Sequence, residues 1–409
     1  MVTKWLPIKC HWIYGRSKIF KWHWTGSLTE ESNKLIYKPL TTDGKARRGE
    51  VTTAHGTFQT PAFMPVGTSG AVKALISEDL ESCGAEIVLG NTYHLYLRPG
   101  IDVVKGMGGL AAFNGWNKPT LTDSGGYQVF SLKHINKISD DGVEFQSHID
   151  GSRHLFTPER VMDIERAIGA DIIMAFDQCV AYPADEKTAT EGVRRTYDWA
   201  TRCLRRFDEL NRTDEDSPSQ LLFGIVQGAT YKNLRTQSAE QIVSLDLPGN
   251  AIGGLSVGES KAEMEDILAH TIELLPKDKP RYMMGIGYPE DILMAVSYGV
   301  DMFDCVLPTR NARTGNVFTS EGPLIYRNAS YANDERPLDP NCDCKVCRRY
   351  SRAYIRHLYN QSEITGMVLA SYHSSYFYQQ LMRDIRGALE AGRFELFRKE
   401  FLARYSQTD

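Results

Sequence analysis

Asp301-Met302-Phe303-Asp304-Cys305-Val306-Leu307-Pro308-Thr309-Arg310 runs straight into Asn311-Ala312-Arg313-Thr314-Gly315, and Cys342, Cys344 and Cys347 follow, with His373 beyond. A carboxylate at the end of an apolar strand, an arginine loop after it and a metal clip on the same stretch point to chemistry on a polyanion. Side chains alternate between the two faces of a strand, so Asp304 shares a face with Met302 and Val306 while Asp301 lies with Phe303 and Cys305. The two acids are therefore not a pair. A strand-end aspartate is also an ordinary turn or cap residue, so Asp304 needs company before it marks a site.

That company comes from other strand ends. Asp123 follows Thr120-Leu121-Thr122, Asp177 follows Ile173-Met174-Ala175-Phe176, Gln227 follows Ile225-Val226, and Gly254 follows Ile252-Gly253. In a barrel of parallel strands the C-terminal ends converge on one mouth, where active sites sit. Carboxylates and an amide without a phosphate-binding glycine fingerprint suit a ligand rich in hydrogen-bond donors, such as a purine base. Asp123-Ser124-Gly125-Gly126-Tyr127 adds backbone amides and an aromatic ring on which a base could stack.

Cys342-x-Cys344-x-x-Cys347 is a strong metal signal, because three soft thiolates this close in sequence can wrap one tetrahedral zinc. Either His357 or His373 completes the set on spacing alone. Three cysteines and a histidine leave no open position, so such a zinc is expected to be structural. Lys345, Arg348, Arg349, Arg352 and Arg356 make the stretch after the clip basic. It reads either as a solvated helix face or, beside Arg310 and Arg313, as a phosphate-contacting patch.

The elements that must hold these residues alternate. Strands are expected at 85–89, 119–122, 171–176, 221–226, 250–253, 281–284 and 302–306. Thr157-Pro158 starts a helix with a cap and a first-turn proline. Ser260 with Glu263 forms a capping box, and another helix runs from Pro289 to a stop at Gly299. Continuous apolar strands joined by helices mean a parallel sheet covered by helices. Seven strands and an eighth easily missed favour an α/β fold of the (β/α)8 TIM type, with a zinc-binding subdomain inserted near the C-terminus. Residues 130–156 read as a hairpin inserted in a barrel loop, and 48–66 as short antiparallel strands that lid the barrel bottom. Asn211 to Gln220 reads as a polar loop.

The chain has 409 residues, 42% of them hydrophobic, enough for a sizeable core. Its 47 basic and 51 acidic residues give a net charge of −4, which excludes a global positive field, so any nucleic-acid binding must use local patches. The eight cysteines are partly clustered and partly scattered, unlike a secreted disulfide scaffold, and a reducing cytoplasm is expected. No apolar run is long enough for a membrane span, so no membrane partner is expected. Residues 1–35 form a basic, tryptophan-rich leader with Trp5, Trp12, Trp22 and Trp24 and no acid before Glu30. It reads as an RNA-touching segment, a disordered extension or the product of an upstream start, and no function is assigned to it. Residues 36–409 are expected to form one catalytic barrel domain, with the zinc subdomain at about 316–380.

Taken together, Thr122 to Gln128, Phe176-Asp177-Gln178-Cys179, Gly224 to Gly228, Gly253 to Glu259, Asp304 to Gly315 and the cysteine clip with Tyr372-His373 resemble a bacterial-type tRNA-guanine transglycosylase, or queuine tRNA-ribosyltransferase. The resemblance runs from about Leu35 to Tyr405. It implies an irregular eight-stranded barrel with a zinc subdomain, acting in the cytoplasm as a homodimer. It implies exchange of the wobble guanine of certain tRNAs for 7-aminomethyl-7-deazaguanine (preQ1), through a covalent intermediate. By resemblance, Asp304 is the nucleophile and Asp123 the general acid and base. Ser124, Asp177, Gln227, Gly253 and Gly254 hold the base edge, with Tyr127 and Met284 on its faces. The Leu255 carbonyl with Glu259 takes the aminomethyl group, and Arg310 and Arg313 hold the tRNA. His373 is preferred to His357 on this ground only, giving one structural zinc per subunit on Cys342, Cys344, Cys347 and His373. Cys179 and Val257 resemble the preQ1-using branch. Gln178 stands where bacterial members usually carry glutamate and Ser256 where alanine is commoner, which leaves a queuine-using variant as an alternative. The rivals are a nucleosidase that releases the base to water and a non-catalytic tRNA-binding subunit, against which the presence of both Asp123 and Asp304 argues. An archaeal-type exchange deeper in tRNA would call for an extra RNA-binding domain, which the sequence after the zinc region does not suggest.

Overall fold

The computed structural model describes residues 36–131, 136–213 and 219–405. The basic leader lies outside the described residues. Eight parallel strands close into a barrel in the order Ala62–Gly67, Val88–Asn91, Thr120–Asp123, Ile172–Met174, Leu221–Val226, Gly249–Ile252, Arg281–Met283 and Met302–Cys305, the last pairing back onto the first. The seven strands expected from sequence all form within a few residues of their places. The eighth is Ala62–Gly67, which the sequence pattern had assigned to an antiparallel lid.

Alternation decides what enters the barrel. Met64, Leu89, Leu121, Ile172, Met174, Ile225, Ala251, Tyr282 and Met302 fill the interior, while Phe63, Ile173, Val226, Ile252, Met283 and Phe303 pack outward in the cluster that includes the surrounding helices. The lid itself is the antiparallel meander Tyr37–Asp43, Ala46–Thr53 and Gly56–Thr60. Tyr37, Val51 and Phe58 belong to the interior cluster, so this sheet closes the N-terminal end and leaves the C-terminal end as the mouth.

The helix signals hold. Thr157 accepts from the Arg160 amide at 3.1 Å ahead of helix Pro158–Ile168, and Ser260 and Glu263 make their capping box before Lys261–Ile272. Helix Pro289–Ser297 ends just before Gly299, whose φ of 95° suits the left-handed turn only glycine adopts freely. Helix Glu186–Thr213 runs further than expected, into the stretch read as a polar loop. The inserted segment is a sheet of three strands, Asn136–Ile138, Val143–Gln146 and Arg153–Phe156, one strand more than a hairpin.

Near the C-terminus, the hairpin Val317–Thr319 and Gly322–Leu324 and the cysteine clip share a second core with the long helix Ile364–Glu390. The N-terminal half of that helix gives Ala370 and Tyr372 to this core. Its C-terminal half gives Tyr378, Leu381, Met382 and Ile385 to the barrel's outer core. One helix therefore carries the cysteine-rich subdomain and braces the barrel.

Candidate active site and metal centre

Asp304 falls on the same face as Met302, so alternation turns it into the barrel at the top of the eighth strand. Its Oδ1 accepts from the Tyr282 hydroxyl at 2.5 Å and from the Gly285 amide at 2.9 Å. Burial raises its pKa above the ordinary carboxylate value, against the pull of these two donors. Asp123 shares a face with the interior residue Leu121. Its Oδ1 accepts from the amides of Thr92 at 3.0 Å and Gly125 at 3.2 Å, and its Oδ2 from the side-chain amide of Asn91. Burial pushes its pKa up to about 7, with the charge of Asp304 adding to the effect.

Asp177 does not reach the mouth by alternation, because the fourth strand ends at Met174 and the chain leaves its register. Its Oδ2 accepts from Gln227 Nε2 at 2.7 Å and its Oδ1 from Ser124 Oγ at 3.4 Å. Burial pushes its pKa to about 6. Gln227 shares a face with interior Ile225, and its amide plane lies against the backbone of Gly253 and Gly254. A Cβ on Gly253 would sit 2.6 Å from Gln227 Nε2, and one on Gly254 2.4 Å from Oε1. Those glycines are there so that backbone can approach.

Leu255 is buried. Glu259 folds its carboxylate onto the amides of Ser256 and, at 3.0 Å, Val257, holding a turn in which Ser256 has a φ of 59°. Met284 is half-buried above Tyr282, whereas Tyr127 is 59% exposed at the start of helix Gly126–Ser131. Gln178 is buried and accepts from the Arg195 guanidinium. Cys179 is half-buried, and burial pushes its thiol up to about 12.

The arginine segment is a helix, Leu307–Arg313, rather than a loop, because Pro308 fits its first turn. Arg310 is exposed, and Arg313 Nε donates to the Thr309 carbonyl at 3.0 Å. The helix is tied to the cysteine-rich subdomain: Tyr326 donates to the Ala312 carbonyl at 2.6 Å and Tyr359 to that of Thr314 at 3.3 Å.

The donor atoms of Cys342, Cys344, Cys347 and His373 lie within 4.8 Å of one another. A tetrahedral ion with bonds of about 2.0–2.3 Å needs donor separations of roughly 3.5–3.8 Å, so small movements suffice to fit one. His373 Nδ1 is 3.3 Å from Cys347 Sγ and 3.8 Å from Cys344 Sγ, while its Nε2 faces the Phe318 carbonyl at 3.0 Å. With Nε2 donating to that carbonyl, Nδ1 is left unprotonated for a metal. His357 lies on helix Arg352–Asn360 and is not part of the cluster.

Sequence reasoning missed several residues of the site. Tyr282, Asn91 and Thr92 hold the two central aspartates. Arg235 is completely buried, donating to the carbonyls of Ala229, Val226, Gly253 and Gly254. It pins the glycine backbone beside Gln227.

A closed parallel barrel with aspartates on neutral donors at its mouth, joined to a subdomain whose Cys3His cluster could hold a metal ion, defines a barrel enzyme with a cysteine-rich subdomain. The family model described as queuine tRNA-ribosyltransferase matches residues 43–407. Relatives named queuine tRNA-ribosyltransferase include one from Caldanaerobacter subterraneus subsp. tengcongensis, 54% identical over 88% of this chain and 94% of the relative. Another, from Nitratidesulfovibrio vulgaris, is 52% identical over 90% of this chain and 96% of its own length. A third, from Bacillus licheniformis, is 54% identical over 88% and 93%. The chain belongs to the queuine tRNA-ribosyltransferase family.

Proposed function

We propose that this protein exchanges guanine at the wobble position of tRNA for preQ1 by double displacement at Asp304. The observation that carries the reading is the pairing of two differently set carboxyls in one mouth. Neutral donors favour the ionised form of both and burial raises both, but the charge of Asp304 adds to the rise at Asp123, to about 7, so that Asp123 can hold a proton near neutrality beside an ionised Asp304.

The Asp304 carboxylate attacks the ribose C1′, the bond to guanine breaks, and Asp123 gives its proton to the departing base. The incoming base then returns a proton to Asp123 and attacks C1′, releasing Asp304. Two inversions give retention, as in retaining glycosidases. Asp177, Gln227, Ser124 and the backbone of Gly253 and Gly254 read the base edge, and Tyr127 and Met284 cover its faces. The Leu255 carbonyl takes the aminomethyl group, with Glu259 supporting its turn. Arg310 and Arg313 hold anticodon phosphates after the target base has left its stack. The four-residue cluster would hold a structural zinc, whose bonds would fix the subdomain that anchors the arginine helix. Among the described residues no helix is long and apolar enough to cross a membrane. Family resemblance supports a cytoplasmic homodimer.

Asp304→Asn is expected to abolish exchange, a fall of several orders of magnitude, and to end formation of a denaturation-resistant tRNA adduct on gels. An adduct formed by that variant would remove Asp304 from the nucleophile role.

A further inference from the structure

Helix Pro158–Ile168 presents Val161, Met162, Ile164 and Ile168 to the core, and on that same apolar face stands Glu165, 0% exposed. A hydrocarbon side chain there would serve stability better, since burying a carboxyl without a cation is costly. Among the described residues no cation pairs with it. Its two oxygens are divided instead between two hydroxyls, Oε1 with Thr92 Oγ1 at 3.1 Å and Oε2 with Thr122 Oγ1. Both threonines are chained to Asp123. Thr122 precedes it in the third strand, and Thr92 gives its amide to Asp123 Oδ1. Thr92 also follows Asn91, whose amide holds the other oxygen. The carboxyl behind the mouth therefore grips both strand ends that fix the carboxyl inside it.

We propose that Glu165 is a positioning residue for Asp123, clamping Thr92 and Thr122 from behind so that both oxygens of Asp123 keep their donors. This rests on the role given to Asp123 above. Both threonine hydroxyls donate to the Glu165 carboxyl. Burial drives its pKa well above the ordinary value, which favours the protonated form, in which one oxygen donates while the other accepts. The titratable groups facing the pair are Asp304 on the eighth strand, Tyr282 on the seventh and Cys203 on helix Glu186–Thr213. Gln220 Nε2 donates to the backbone carbonyls of Glu165 at 3.2 Å and Ala170 at 2.7 Å, not to the Glu165 carboxyl.

The test compares Glu165→Leu, Glu165→Gln and Thr92→Val in the full chain. Carbon-13 NMR of aspartate carboxyls, assigned with Asp123→Asn, reads the titration of Asp123 without any turnover. Glu165→Leu and Thr92→Val should raise the Asp123 pKa, because the Thr92 amide no longer holds the carboxylate firmly. They should lower kcat about ten- to a hundredfold with KM for tRNA within about twofold. Glu165→Gln should restore most of the loss, since an amide also donates and accepts. The Glu165→Leu, Thr92→Val double variant should be no worse than either single one. A lower melting temperature with the Asp123 titration and kcat unmoved, or Glu165→Gln as impaired as Glu165→Leu, would overturn the proposal. Wild-type protein that exchanges no base would end the functional reading alone, because the NMR titration stands without it.

Discussion

The eighth barrel strand follows one aspartate and carries another near its end, and the floor and the mouth of the barrel treat the two in opposite ways. Asp301 at the floor is fully buried and gripped by the Arg47 guanidinium, with Nε at 2.9 Å, by the Tyr37 hydroxyl at 3.2 Å and by the Arg281 amide at 2.7 Å. Asp171, at the start of the fourth strand, likewise meets His55 at 2.8 Å and the Thr120 amide at 2.8 Å. At the mouth, Asp304, Asp123 and Asp177 have only neutral donors. A cation would lower their proton affinity and stabilise the fold, but it would also fix a proton donor in its ionised form. The floor acids serve stability, and the mouth acids are held at a cost to it.

Breaking the floor should therefore cost most in stability and little in catalysis. Arg47→Met leaves Asp301 buried without its cation and should destabilise by about 3–5 kcal/mol in a urea melt. The folded fraction should keep its KM for base. A loss below about 1 kcal/mol would mean that the ion pair does not lock the lid.

The mouth should respond in the other direction. The folded-state pKa of Asp123 lies above its unfolded value, so whatever it contributes to stability is complete below about 4 and is lost as pH rises through about 7. Asp123→Asn should inactivate the enzyme yet stabilise it by about 1–3 kcal/mol at pH 8, with the gain shrinking as pH falls from 7 toward 4. A variant less stable than wild type at pH 8 would contradict the contrast.

The smallest effect belongs to His55, which sits at the edge of the floor with its side chain 32% exposed. Its hydrogen bond to Asp171 raises its pKa, so the stabilisation is full below about 6.5 and fades as pH climbs through the folded value. His55→Ala should cost about 1 kcal/mol at pH 5.5 and less at pH 8.5. An equal cost at both would leave only a neutral hydrogen bond.

Part of the mouth was readable because strand periodicity is rigid. Asp123, Gln227 and Asp304 each follow an inward residue by two positions, so apolar runs ending in polar residues located them, whereas Gly253 and Met284 share that register but were named only by the family resemblance. Asp177 was found from its place after a run, although alternation does not turn it inward. The first barrel strand was misassigned because it directly follows the lid meander and its composition does not separate parallel from antiparallel pairing. Glu165 and Arg235 were invisible for another reason. A charged residue in a helix reads as solvent-facing, and only the tertiary fold shows that both are buried against the strand ends they hold.

The most direct test is mass spectrometry of a tRNA bearing a wobble guanine after incubation with the full chain and isotope-labelled guanine, preQ1 or queuine in separate reactions. Incorporation at that one position, with preQ1 favoured over queuine, is the expected result. Free guanine with an abasic tRNA would make the protein a hydrolase, and an unchanged tRNA would contradict base exchange altogether.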